Sequence, residues 1–470
     1  MRLFSWIFHQ LLLTVLAVWV FLAFPVAGAV QTQVAQAQGV PSASSSAVAE
    51  ALSRARSLMD GGRHMDAVGI LGPLVQGRVI QADALFLYGL AALEASQQQA
   101  GLPDDTRTSL LDQAIASFHA MLVQAPGLVR VRLELARAFF AKGEYGLAGS
   151  HFERVLAGDP PDAVAANVRG FLDRIRSRGR WSYKGGFALA PDNNIGGTSN
   201  ERTIYIFDLP FERDIEELTT SGVGVSAWGG AEYQHPLGED LRLRSGAEAA
   251  RRDYKGSRFD QLFVAGHVGP RVFLNRDTHA SVLASVQQRW LGSAPDHRAL
   301  GARVEAGHRV SRSVSVSGRA SWHDRRYRVR DGLDGPVWDA SLQGRWAVLP
   351  TVRLELSGGY GRERPEAERW RHESRWLGAG VSVILPLGFN LGLGGEYRWT
   401  DYEGNWFPNV RDGSEREDRT RSLRASVHNR ALTLWGFSPE LVAVNEERTT
   451  NAQLYDYSRT RGELRFVRQF

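Results

Sequence analysis

Cysteine is absent from the 470 residues of this chain. Its absence rules out structural disulfides, thiolate chemistry, cysteine-ligated zinc and a lipid anchor on a cysteine behind a cleaved leader. Lysine is nearly absent too: among 56 basic residues only Lys142, Lys184 and Lys255 are lysines. The rest is arginine, interleaved with 51 acidic residues, so the formal charge of +5 carries no single-sign stripe. With no binding motif either, nucleic acid is not an expected partner. Long apolar runs are missing beyond residue 24, and a membrane-crossing helix needs about 20 such residues. A mean hydropathy of −0.26 is still compatible with a membrane barrel, where only alternate strand residues face lipid.

What is present begins with an export signal. Arg2 precedes Leu11 to Phe24 (LLLTVLAVWVFLAF), an apolar run of fourteen. Small residues follow, placing cleavage after Ala29 (Ala27-Gly28-Ala29) or Ala37 (Ala35-Gln36-Ala37). Residues 30–46 are polar and low in complexity and read as a disordered tether.

Residues 47–178 are rich in alanine and leucine and show a helical period. They also repeat. Leu135, Ala136 and Phe139 mark one helix; Ala148, Phe152 and Val155 mark a second, which Pro160 ends. That spacing resembles the tetratricopeptide repeat, with small residues where two helices cross. The register recurs at Leu85, Tyr88, Gly89 and Ala92 with Ala114, Phe118, Met121 and Pro126, around an insertion near Ser96 to Thr108. A weaker copy runs through Ala55, Leu58, Ala67, Leu71 and Leu74, and Asp162 to Arg176 reads as a capping helix.

At Trp181 the period changes to two. Val352, Leu354, Leu356 and Tyr360 oppose Arg353, Glu355 and Ser357; Leu391, Leu393, Tyr397 and Trp399 oppose Glu396, Arg398 and Thr400. Short turns at 235–240, 274–277, 310–313, 348–351 and 385–388 alternate with longer polar links at 191–217, 329–335, 363–369 and 404–418. Two links of the second class, near Lys255 and Ser293, are themselves short. Residues 181–470 thus predict fourteen strands, and short turns alternating with long loops mark an outer-membrane barrel. An even count returns both barrel ends to the periplasmic side, where the helical domain must lie. The expected fold is a tetratricopeptide-like α-solenoid followed by a fourteen-strand antiparallel transmembrane β-barrel in the cell outer membrane.

Candidate site residues follow from this plan. Arg353, Glu355, Glu396, Arg398, Glu463 and Arg465 fall on the polar face and are expected to line the lumen. Leu464, Phe466 and Phe470 share one face of the last strand and read as a barrel-insertion signal for the barrel assembly machinery. Asp192, Asn193 and Asn194, just after the first strand, are the polar cluster expected to cap that strand or to act as a gate or client contact. No catalytic or metal-binding set emerges. Ser321, His323 and Asp324 are adjacent, and strand geometry sends neighbours to opposite faces. His267, His279, His297 and His308 lack metal-ligand spacing. No cofactor is expected, and the chain is not expected to be an enzyme.

In this order the parts resemble the surface lipoprotein assembly modifier family. The sharper marks are Ala190-Pro191-Asp192-Asn193-Asn194-Ile195, Leu434-Trp435-Gly436-Phe437-Ser438-Pro439 and the closing strand from Tyr457 to Phe470. The resemblance implies a translocator that carries a particular lipoprotein or small soluble client, often encoded next door, from periplasm to surface or medium. Besides outer-membrane lipid, that client is the implied partner. A polysaccharide exporter and a passive porin are the alternative readings.

Overall fold

The computed structural model describes residues 43–470 apart from 77–80, 99–100, 159, 179, 200, 207–208, 213–219, 407–409, 411–413, 433–436 and 470. The leader, both cleavage sites, most of the tether, part of the 434–439 motif and Phe470 lie outside the described residues. Among the described residues seven helices come first: α1 (Ala43–Asp60), α2 (His64–Val75), α3 (Ala82–Gln98), α4 (Asp104–Gln124), α5 (Val129–Lys142), α6 (Tyr145–Ala157) and α7 (Asp162–Arg178). The first begins four residues inside the segment read as tether. Alanine propagates a helix well and serine suits a helix start, so the Ala-Ser run joins α1.

The repeat positions form the core of this domain. Ala55, Ala67, Leu71, Ala92, Ala114, Phe118, Leu135, Ala136, Ala148, Phe152 and Val155 are all fully buried. Gly89 explains the close crossing of α3 and α4: a Cβ there would lie 2.9 Å from the Phe118 ring. Arg137 bridges Glu94 at 2.8 Å and Glu134 at 2.6 Å, tying α5 to α3. The extra residues near 96–108 lengthen α3 and α4 rather than forming a separate element.

The strands are β1 (Trp181–Asp192), the small hairpin β2 (Thr203–Ile206) and β3 (Leu209–Glu212), β4 (Gly222–Pro236), β5 (Leu241–Asp253), β6 (Gln261–Phe273), β7 (Thr278–Leu291) and β8 (Ala294–Arg309). They continue with β9 (Val314–Tyr327), β10 (Gly335–Leu349), β11 (Val352–Glu363), β12 (His372–Ile384), β13 (Phe389–Tyr402), β14 (Glu417–Asn429), β15 (Ser438–Thr450) and β16 (Tyr457–Gln469). Leaving out the hairpin, fourteen strands close into one antiparallel barrel, β1 pairing with β4 on one side and β16 on the other.

Links at 237–240, 274–277, 310–313, 350–351, 385–388 and 430–437 gather at one end, together with the start of β1. Links at 193–221, 254–260, 292–293, 328–334, 364–371, 403–416 and 451–456 gather at the other. The first loop is shorter than the 191–217 reading at its start, because Pro191 and Asp192 still belong to β1, and longer at its end.

The wall is apolar outside and charged inside. Leu342, Leu356, Leu377, Leu393 and Leu423 form a belt across β10 to β14, each 60–67% exposed. Apolar surface left in water costs about 25 cal/mol per Å² of burial forgone, so a continuous belt of this kind requires lipid around it.

Candidate functional site

The helical domain rests on the short-turn end. α4 packs against the 386–388 turn, and α6 packs against β10. A Cβ on Gly158 would lie 3.1 Å from the Pro350 ring. Among the described residues, ion pairs fasten the rim: Glu153 to Arg309 at 3.2 Å, Asp162 to Arg312 at 2.5 Å, and Asp173 to Arg276 at 3.4 Å.

Behind the rim lies a basic cluster. His119 of α4, Arg132 of α5 and His151 and Arg154 of α6 are coupled electrostatically to Arg430 of the 430–437 link, and Arg154 also to Arg353 of β11. Burial, reinforced by Arg154, Arg132, Arg430 and His119, holds the His151 imidazole well below the usual histidine range, so it is neutral at pH 7. Burial and then Arg430, Arg132 and Arg353 pull the Arg154 guanidinium down in the same sense. An arginine nevertheless keeps its proton in proteins, so the cost stays as an uncompensated charge. The Nη1 of Arg154, Nδ1 of His151 and Nε of Arg132 are buried with no hydrogen-bond partner among the described residues.

The expected lumen residues lie on the inner face. Glu355 takes Gln343 at 2.7 Å and Arg345 at 3.4 Å, leaving its sequence neighbour Arg353 to the mouth. Glu396 and Arg398 pair at 2.9 Å. Glu463 collects Arg465 at 2.5 Å, Arg461 at 3.2 Å and, from β5, Arg252 at 3.6 Å. Leu464 and Phe466 point outward instead. Leu464 stands opposite Leu189, and Phe466 stacks on Phe187 with centroids 4.9 Å apart.

Asp192, Asn193 and Asn194 clasp the closing seam. The Arg459 Nε donates to both Asp192 oxygens at 3.1 and 3.0 Å, and its terminal nitrogen lies 2.5 Å from Oδ2. Asn193 accepts from the Thr460 amide at 2.7 Å and donates its own amide to the Thr460 carbonyl at 3.2 Å. Asn194 Nδ2 reaches the carbonyls of Thr198 at 2.8 Å and Ser458 at 3.3 Å. These bonds follow a gap: the β1–β16 ladder runs to Leu189 opposite Leu464 and resumes only at Asp192 opposite Arg461. Pro191 has no N–H to offer there.

A profile of the surface lipoprotein assembly modifier family matches residues 181–470, the whole barrel. The chain belongs to that family. Surface lipoprotein assembly modifier 1 of Neisseria meningitidis serogroup B is 23% identical over 370 residues, covering 76% of this chain and 72% of that protein. Surface lipoprotein assembly modifier 2 of Haemophilus influenzae is 21% identical over 406 residues, covering 84% and 79%. Among solved structures, the outer membrane channel DcaP of Acinetobacter baumannii is a distant likeness, with a TM-score of 0.38, 12% identity and coverage of 61% of this chain and 96% of that one. This member of the family is an outer-membrane barrel. Its short-turn end faces the periplasm, and its helical domain lies on that side.

Several groups escaped the sequence reading. Arg244 is a hub on the inner wall, 2.6 Å from Glu232, 2.8 Å from Glu305 and 3.1 Å from Ser281. Glu305 also takes Arg303 at 3.0 Å and Arg319 at 3.3 Å. Of these, strand alternation placed Ser281 on a polar face; only register across several strands brings the group together. On the outer side, Arg416 is buried between Tyr455, Tyr402 and Trp406 and paired with Asp418 at 2.7 Å. His323 takes its contacts from Ser285 at 2.8 Å and Gln287 at 3.2 Å, while Asp324 pairs with Arg326 at 2.9 Å on the opposite face. That is wall packing, with no shared reaction centre.

Proposed function

We propose that this barrel delivers a lipoprotein or small soluble client protein from the periplasm to the cell surface or medium. One observation carries the reading: a helical domain is fastened across the periplasmic mouth of a barrel whose inner wall is lined with charge. A passive solute channel has no use for such a domain. Paired helices offer a surface suited to an extended or partly folded polypeptide, and the polar lumen is the route that surface leads to. The family name supports a lipoprotein as client. The reading assigns the chain no catalytic step and no cofactor; the client's folding outside, or other periplasmic machinery, drives transfer. Insertion by the barrel assembly machinery, with Leu464, Phe466 and Phe470 as its signal, belongs to the same reading.

Deletion of the gene, followed by comparison of the proteins displayed on the surface or released to the medium, tests it. One or a few clients are expected to disappear from outside and accumulate in the periplasm, the neighbouring gene's product first among them. If no protein changes place, the reading is wrong. Conductance that persists after removal of residues 47–178, with no client stranded, points to a porin.

A further inference from the structure

The arginines that hold the helical domain to the barrel also line a cavity that is short of negative charge. Between α6 and the inner mouth lies a space of about 160 Å³ bounded by Arg154, Arg309, Arg312, Arg345 and Arg353, with Glu153 the one acidic lining residue among those described. Glu153 and Asp162 occupy Arg309 and Arg312, and Glu355 lies 3.4 Å from Arg345. Arg154 and Arg353 make no ion pair among the described residues, and the Nη1 of Arg154 is buried without a partner. A desolvated guanidinium is costly until a hydrogen-bonding anion meets it, and its planar fork matches a carboxylate.

We propose that this cavity receives the carboxylates of an acidic segment of a client polypeptide, and that filling it releases the helical domain from the barrel mouth. The polypeptide nature of the ligand rests on the translocator reading above. Position favours it over a lipid headgroup. Arg345 and Arg353 lie on the inner wall, since the intervening Trp346 and Leu354 alternate to the outer face, so the cavity is reached from the lumen and periplasm. The volume suits one carboxylate-bearing side chain at a time. Release follows from competition: the cavity bordered by the unpaired Arg154 and Arg353 is also bordered by Arg309 and Arg312, and an acidic segment drawn into it displaces Glu153 and Asp162 from those two guanidiniums. Ligand binding and detachment are therefore coupled, and each weakens the other's competitor.

The test uses the full chain in detergent with Gly158→Cys and Pro350→Cys, a unique pair in a protein that has no other cysteine. Cross-link yield across this pair reports docking, and fluorescence anisotropy reports binding of labelled hexaglutamate at low salt. Hexaglutamate is expected to bind and to lower the cross-link yield several-fold, whereas hexalysine does neither. Arg154→Gln with Arg353→Gln is expected to weaken hexaglutamate binding by about tenfold or more. Arg154→Lys with Arg353→Lys should recover part of that loss, and heat-modifiable migration on gels checks that each variant keeps its barrel. Unchanged hexaglutamate binding in the glutamine pair overturns the proposal. So does inorganic phosphate loosening the domain as well as hexaglutamate, which makes the cavity a free-oxyanion site. Loosening seen only in nanodiscs of anionic phospholipid overturns it in favour of lipid. Clients lost from the surface on gene deletion, with hexaglutamate unbound, sink this inference alone. Hexaglutamate bound with no client lost sinks the translocator reading, and with it the assignment of the ligand to a client, while the anion site itself stands.

Discussion

Leucine in the helical domain and leucine in the barrel occupy opposite places. Leu71, Leu93 and Leu135 are sealed inside, while Leu356, Leu377 and Leu423 stand on the outer surface. Charge is reversed in step. The helical core is built from apolar side chains, with buried charge confined to the Arg137 bridge and the basic cluster of Arg132 and Arg154, whereas the barrel gathers Arg244, Glu305 and Glu463 inside its wall. One chain has thus been written for two solvents, and the change at Trp181 is a change of what surrounds it. Packing density stabilises the first region; lipid outside and paired ions inside stabilise the second.

The contrast is most severely tested by Phe118→Ala. Removing this fully buried ring leaves a cavity, and the helical domain is expected to lose about 3–5 kcal/mol. Urea unfolding followed by limited proteolysis measures that loss, and the barrel's heat-modified migration should not move. If the barrel melts too, the regions are not independent. On the other side, Leu356→Arg is expected to cost the barrel about 2–4 kcal/mol in refolding to liposomes, as a cation near the bilayer midplane does. Leu356→Ala should cost far less, since it gives up apolar contact with lipid but puts no charge there.

Asp192→Ala probes the seam. It leaves Arg459 without its partner and removes the bond to the Asn194 amide at 3.0 Å. An expected loss of about 2 kcal/mol should appear as a lower heat-modification midpoint. The smallest effect concerns pH. His151 has its folded pKa held well below its unfolded value near 6.5, by burial with Arg154 on its own helix, Arg132, Arg430 and His119. The unfolded state therefore takes up the proton first. Stability is complete above pH 6.5 and falls as pH drops below it, by about 1 kcal/mol at pH 5.5. Urea midpoints of the helical domain at pH 7.5 and 5.5 measure this. His151→Gln should flatten the dependence, leaving the share due to His119, whose pKa burial also lowers.

Much of this was legible because period and face are local properties. Alternation put Arg353, Glu355, Glu396, Arg398, Glu463 and Arg465 on the polar face, and helical spacing made Gly89 and Phe118 positions of one repeat's two helices. Partner choice was not legible. Arg353 and Glu355 look like a pair in sequence, but Glu355 binds Arg345 and Gln343, a matter of β10–β11 register. The mouth was hidden for the same reason: Arg309 and Arg312 sit in an ordinary turn, and nothing near them names Glu153 or Asp162 as their partners. The Asp192–Asn194 cluster was visible as polar and strand-ending. That it binds residues 458–460 depends on closure of the ring.

Closure has a consequence for biogenesis. β1 pairs with β16, the barrel strand farthest from it along the chain, so a sheet lacking either one presents two rows of unsatisfied amides and carbonyls. In hydrocarbon each such group costs several kcal/mol, which makes every incomplete intermediate intolerable to the bilayer. Pairing of β1 with β16 satisfies both borders at once, and the Asp192–Arg459 contact lies on the seam where they meet.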